Sequence, residues 1–270
     1  MAADLSVNNT NPACSTPGDN LFCSISGALT SALSGDTITV APGNYSDNIT
    51  VTTSNLTIVG VNTPTLHAVL FQPTVSIKAT GVRFEGFEVT GGLDGIIVAG
   101  DHNMVLHNRV LDSSFDNIRV GSSFPAAPAA HNVVARNSVS GGLGGITIEG
   151  DHNKVVRNQA TDTTGNGIVV SGNNNRLKRN QVRNCLCNSG FSIAGIRNSI
   201  TANRAINNAL NGFEIVGLSR KNRLLKNVAI GNGAFGFHDI FGGRNTYRRN
   251  LCKRNGAGGS LPSGLCAPQR

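Results

Sequence analysis

The sequence predicts an all-β solenoid, a parallel β-helix with three short strands in each coil. Three observations predict it. A phrase of two Asn residues five positions apart, with an apolar residue between them, occurs seven times, beginning at Asn103, Asn132, Asn153, Asn175, Asn198, Asn222 and Asn245. The steps between copies are 29, 21, 22, 23, 24 and 23 residues, and a fixed period of that length marks a stacked-coil architecture. The composition agrees: Gly is high at 33, Trp is absent, and charged residues are 14% of the chain. That suits tight turns and small inward side chains rather than a helical bundle.

One continuous unit over residues 1–270 is expected, because solenoids grow by adding coils. Residues 20–45 form an N-terminal cap and first coil, 46–255 the coils, and 256–270 a tail. Residues 166–190 show the plan of one coil. A short apolar run at 168–171 meets the polar turn Asn173-Asn174-Asn175; a second run at 176–179 ends at Asn180; a third, at 181–183, precedes a variable loop. Alternation sends Ile96, Ile118, Ile146, Ile168, Phe191, Phe213 and Phe237 inward from the first strand. The last three should stack as rings inside the cylinder. The second Asn of each phrase (Asn108, Asn137, Asn158, Asn180, Asn203, Asn227, Asn250) should form an amide ladder at a corner, where Asn tolerates the left-handed backbone.

The six cysteines fall as Cys14 and Cys23 near one end, Cys252 and Cys266 near the other, and Cys185 and Cys187 two apart. Two pairs clipping the ends fit disulfides in an oxidising compartment, and no Cys-x-x-Cys spacing favours zinc. No apolar run is long enough for a membrane span, and no secretory leader is visible. Met1-Ala2-Ala3-Asp4 reads as a mature exported protein with an added start Met. A monomer outside the cell or in a periplasm is therefore expected, without a membrane partner.

These coils resemble the right-handed parallel β-helix proteins, the superfamily of pectate lyases, polygalacturonases and alginate epimerases. The N-terminal stretch Phe22-Cys23-Ser24-Ile25, Ala28-Leu29, and Gly35-Asp36-Thr37-Ile38-Thr39-Val40-Ala41-Pro42-Gly43-Asn44-Tyr45 is similar to their opening. The resemblance covers about residues 20–255. It implies a short helix at 24–33 plugging the first coil, and a polysaccharide lying across the outer face of the strand that opens each coil. The chain departs from the specialised patterns: His238-Asp239 follows Phe237 where the epimerases carry Asp-Pro-His-Asp, and the adjacent Asp pair of polygalacturonases, which an Arg-x-Lys would partner, is absent.

On that face the outward row reads Ile97, Arg119, Thr147, Val169, Ser192, Glu214, His238. Two candidate sites emerge. In the first, Asp94 and Asp116 stack in adjacent coils, with Arg119 and Glu149 beside them; paired carboxylates can hold Ca²⁺ or share a proton. In a lyase reading, Arg119 or a cation neutralises a uronate carboxylate while a base removes the α-proton. The same Asp residues would equally serve as turn caps. In the second, Glu214 and His238 share a row and make an acid–base pair. Asp239 points inward by alternation, so either the strand breaks there or Asp239 has a dedicated partner. Glu149 and Glu214, three coils apart, are too distant for a glycosidase pair.

The strongest electrostatic signal is a column of cations just before the Asn ladder: Arg136, Arg157, Arg179, Lys226 and Arg249, preceded by His107. With a net charge of +8, it points to an acidic polysaccharide or another linear anion. Nucleic acid is disfavoured by the lack of aromatics. A solvated basic face explains the column equally well. The functional expectation is a carbohydrate-active protein of lyase or epimerase type with Ca²⁺ or no cofactor. A non-catalytic polyanion-binding module and an isomerase or cyclase for a small metabolite, its groove shaped by the loops at 122–130 and 184–189, stay open.

Overall fold

Every coil turns at corners that an L-residue chain makes only with local left-handed backbone, and the sequence meets this in a regular way. The computed structural model describes residues 2–15, 20–69, 71–123, 126–127, 129–242 and 244–268. Its strands lie in three long parallel sheets of 10, 12 and 11 strands, called here the first, second and third in the order the chain visits them within a coil. In one coil these are Ile96–Val98, Met104–Leu106 and Arg109–Leu111. A helix at Ile25–Ser31 closes the N-terminal end, capped by Ser24, whose hydroxyl accepts from the Gly27 amide at 3.1 Å. Its Ile25 and Ala28 are buried against the first coil. Disulfides join Cys14 to Cys23 and Cys252 to Cys266, whereas Cys185 and Cys187 are free thiols.

The interior is three columns of side chains, one from each sheet. The first-sheet column Ile96 through Phe237 is fully buried as the alternation requires. Phe191, Phe213 and Phe237 stack with centroids 4.7 Å apart at each step. The coils that carry Phe191 and Phe213 carry Ala205 and Ala229 in the third-sheet column, where the coils of Ile118 and Ile168 have Val139 and Val182 and that of Ile146 has Ala160. In the two Phe coils a large residue on one wall meets a small one on another, as close packing favours.

The Asn ladder is present, and it is one of two complete ladders. Along the second corner, Asn158 Nδ2 donates to Asn180 Oδ1 (3.0 Å), Asn180 to Asn203 (3.0 Å) and Asn203 to Asn227 (3.1 Å). Along the first corner, the backbone amides of Asn103, Asn132, Asn153, Asn175, Asn198 and Asn222 each donate to the Oδ1 of the Asn one coil on, at 2.7–3.0 Å. A shorter set, Asn208, Asn232 and Asn255, repeats this at the third corner.

One expectation is corrected. The ladder Asn residues do not take the left-handed conformation; the residue before each one does. Arg136, Arg157 and Arg179 have φ of 58°, Lys226 56° and Arg249 54°. The amide must point inward to reach the coil above, so the corner's turn falls on the preceding residue, whose side chain is thrown outward. A non-Gly residue there costs about 1–2 kcal/mol, and Gly loses about 0.5–1 kcal/mol of that advantage through unfolded-state entropy. Arg179→Gly is therefore expected to raise stability by up to about 1 kcal/mol, read as a higher urea midpoint at unchanged slope.

Of the 122–130 insertion, Phe124, Pro125 and Pro128 lie outside the described residues; Ser122–Ser123 pairs antiparallel with Ala126–Ala127, and the chain re-enters the core at Ala129. No helix among the described residues is long and apolar enough to cross a membrane.

Candidate functional site

The row read from alternation is a row in space. Ile97, Arg119, Thr147, Val169, Ser192, Glu214 and His238 are successive pairing partners on the outer face of the first sheet. Strand residue Arg119 faces outward because Ile118 and Val120 face the core. It folds across the loop–strand junction rather than into solvent. One terminal nitrogen of its guanidinium lies 2.5 Å from Asp116 Oδ2, the other 2.7 Å from Glu149 Oε1, and Nε is 3.6 Å from Asp94 Oδ1. The first candidate cluster is therefore assembled in full.

Burial and local bonds hold it. The Asp94 and Asp116 side chains are each 11% exposed and Arg119 16%, whereas Glu149 is 31% exposed and opens toward solvent. Asp94 Oδ1 accepts from the Asp116 backbone amide at 3.0 Å, and the Thr147 hydroxyl bonds Asp116 from the coil above. Gly144 makes room for the carboxyl: a Cβ at that position would lie 2.0 Å from Asp116 Oδ1.

Three carboxylates share one guanidinium, so the charges do not cancel. Burial is the main force raising the Asp116 carboxyl to about 6; Arg119 and Thr147 oppose it, and the charges of Asp94 and Glu149 add to it. Burial likewise raises Asp94, against its bond from the Asp116 amide and the charge of Arg119. Burial disfavours the Arg119 charge, but the carboxylates of Asp116, Glu149 and Asp94 outweigh it and hold the guanidinium above its usual range.

The Ca²⁺ role expected of Asp94 and Asp116 does not fit this geometry. Arg119 lies against both carboxyls, and a second cation would be repelled by it. Among the described residues no group of three or more His, Cys, Asp or Glu side chains is placed to hold a metal ion.

The second cluster is looser. His238 Nδ1 lies 3.8 Å from Glu214 Oε1, and the His238 ring stacks on Phe235 with centroids 5.7 Å apart. Glu214 Oε2 accepts from Ser189 Oγ at 2.8 Å, a contact that strand alternation did not reveal because Ser189 lies in the preceding loop. Asp239 is not part of this pair. The strand ends at His238, and Asp239 turns inward, 2% exposed, where its Oδ2 accepts from Tyr247 at 2.7 Å and Asn245 at 3.1 Å. It ties the last coil together, and burial with this contact pushes the Tyr247 hydroxyl far up.

The basic column lies elsewhere. Arg136, Arg157, Arg179, Lys226 and Arg249 stand at the corner between the second and third sheets, the corner the first sheet does not touch. The structure therefore separates these residues from the acidic cluster. Sequence reading also missed a stack of three exposed imidazoles, His102, His131 and His152, at the corner between the first and second sheets, with centroids 5.0 Å apart. The recurring Asp-His-Asn at 101–103 and 151–153 was its signal.

Residues 68–229, well over half of the chain, match the family described as "Right handed beta helix region". The chain belongs to that family. Among solved structures it is similar to pectate lyase Pel9A, with a TM-score of 0.64 and 16% identity over 93% of this chain and 68% of that one. The tailspike protein 2 of bacteriophage CBA120 gives a TM-score of 0.70 at 12% identity, over 94% of this chain and 42% of that one. An alginate lyase from Paenibacillus sp. str. FPU-7 gives 0.57 at 11% identity, over 99% and 98%. At these identities the likeness is one of fold. A cell surface glycoprotein of Methanothermus fervidus is 35% identical over 86 residues, which is 32% of this chain and 14% of that protein.

Proposed function

We propose that this β-helix protein acts on a polysaccharide laid along the outer face of its first sheet, by acid–base chemistry at Asp116 and Glu149. The observation that carries it is a buried carboxyl and a more open one held on the two terminal nitrogens of one guanidinium; burial, which raises the Asp116 carboxyl to about 6, supports it. A buried proton donor next to a more exposed carboxyl is the arrangement that protonates a glycosidic oxygen while the second carboxyl serves the anomeric side. Arg119 is bonded on both terminal nitrogens, so its role is to position the carboxylates, and Asp94 steadies Asp116 through its amide. The end pairs of cysteines and the partial likeness to a cell surface glycoprotein support a site of action outside the cell.

A second reading, proton abstraction next to a uronate carboxylate by a lyase or epimerase, is favoured by the Glu214–His238 pair on the same face. There the carboxylate and imidazole adjoin without a guanidinium between them. The test is a panel of neutral and acidic polysaccharides scored for new reducing ends, for ultraviolet absorbance of a new double bond, and for changed sugar configuration. Hydrolysis lost in Glu149→Gln supports the first reading. Elimination or epimerisation that survives Glu149→Gln and disappears in His238→Ala supports the second. Turnover of the panel that neither substitution reduces removes both.

A further inference from the structure

The corner between the second and third sheets carries cations that the fold does not require. Each sits on a left-handed residue, where Asn or Gly would be less strained. Ala202 occupies the same position in its own coil with φ of 55°, so the corner forms without a charge. Arg157 and Arg179 stand one coil apart, ~4.8 Å by strand spacing, and repel one another. Both are exposed, and among the described residues neither they nor Lys226 and Arg249 make a salt bridge. Arg136 meets the ring of His107 at 3.2 Å, another potential cation. The sequence thus places like charges in register against both Coulomb repulsion and backbone preference.

A groove of 460 Å³ runs along this column from His107 to Arg179. Its floor is apolar, with Leu106, Ala135 and Val156 half-buried on the second sheet, and Arg136, Arg157 and Arg179 form its rim. We infer that this groove binds an acidic polysaccharide, a chain of uronate or sulfated sugars lying parallel to the solenoid axis, with its anionic groups against the arginine rim and its sugar rings on the apolar floor. The outward positions of the second sheet from Arg83 to Arg248 hold no Phe, Tyr or Trp, so the groove floor offers single-stranded nucleic acid no aromatic platform on which to stack its bases. The groove faces away from Arg119 and would bind whether or not the first sheet turns over a substrate.

The probes are fluorescently labelled polygalacturonate and heparin, with neutral dextran and oligo(dT) as comparisons. One of the two acidic glycans is expected to bind at low ionic strength, with the logarithm of affinity falling linearly against log salt. The triple variant Arg136→Gln/Arg157→Gln/Arg179→Gln should weaken it at least about tenfold, equivalent to ~1.4 kcal/mol, and flatten the salt slope. Should the triple variant fold poorly, Arg157→Gly/Arg179→Gly removes two charges at positions where Gly relieves strain. Unaltered affinity in the folded variant, no binding of either glycan, or tighter binding of oligo(dT) than of both would overturn the inference.

Discussion

Asp116→Asn is expected to lower turnover of a cleaved polysaccharide by about 10²–10⁴, the usual contribution of a positioned proton donor, and to change how stability depends on pH. The carboxyl ionises at 3.8 in the absence of its surroundings and at about 6 in the fold. A raised acid binds its proton more tightly when folded, so its protonation favours the native state. Stability from this group is therefore fully present below about pH 4 and is lost as pH rises through about 6. Two pKa units correspond to ~3 kcal/mol, an upper bound because Arg119 readjusts. The Asn variant carries no such charge, so its urea midpoint should match or exceed the parent's at pH 8 and lose this part of the slope between pH 4 and pH 7. In the parent, activity should fall as pH rises past about 6. A variant equally destabilised at pH 4 and pH 8, or one with parental activity, would show that Asp116 is a structural cap.

Why this cluster was legible and its chemistry was not follows from what a repeat encodes. Period and alternation fix which residues become vertical neighbours, so the placement of Asp94, Asp116, Arg119 and Glu149 on adjoining positions of one face was readable from spacing alone. The same rules are silent on where a long side chain goes. Arg119 could have reached into solvent for a uronate; instead it folds onto three carboxylates and occupies the pair expected to hold Ca²⁺. Alternation also assigned Asp239 an inward direction correctly, but its partner Tyr247 lies on another sheet, and no local pattern pairs them. The Asn phrase revealed its second ladder but not its first or third, because propensity suggested that Asn makes the corner itself. In fact the corner is made one residue earlier, and that shift puts the basic side chains on the outside of the coil.

A large stability loss is expected from a single substitution in the ladder at Asn180. Its Nδ2 donates to the Val155 carbonyl at 2.8 Å and to Asn203 Oδ1 at 3.0 Å. Its Oδ1 accepts from the Asn158 backbone amide at 2.9 Å and from Asn158 Nδ2 at 3.0 Å. Asn158 is fully buried and Asn180 is 1% exposed, so water cannot replace what is removed. Asn180→Ala takes a bond from a carbonyl, an amide and two side chains together; Asn203 Oδ1 keeps the Asn180 amide and Asn158 Nδ2 keeps the Val134 carbonyl, so the carbonyl and the amide lose most, and about 3–5 kcal/mol in sum is expected. Asn180→Asp should be worse at pH 7, because a carboxylate oxygen would then face the Val155 carbonyl and Asn203 Oδ1. The neighbouring Arg179 is the internal control: it lies one residue away and outside the ladder, and its replacement by Gly is expected to stabilise. Urea unfolding of both variants at equal slope reads the contrast. If Asn180→Ala costs under about 1 kcal/mol, the ladder is a consequence of the coil and not a cause of it. The cylinder would then be held by its three apolar columns alone, with the Phe191–Phe213–Phe237 stack the first place to look for the missing energy.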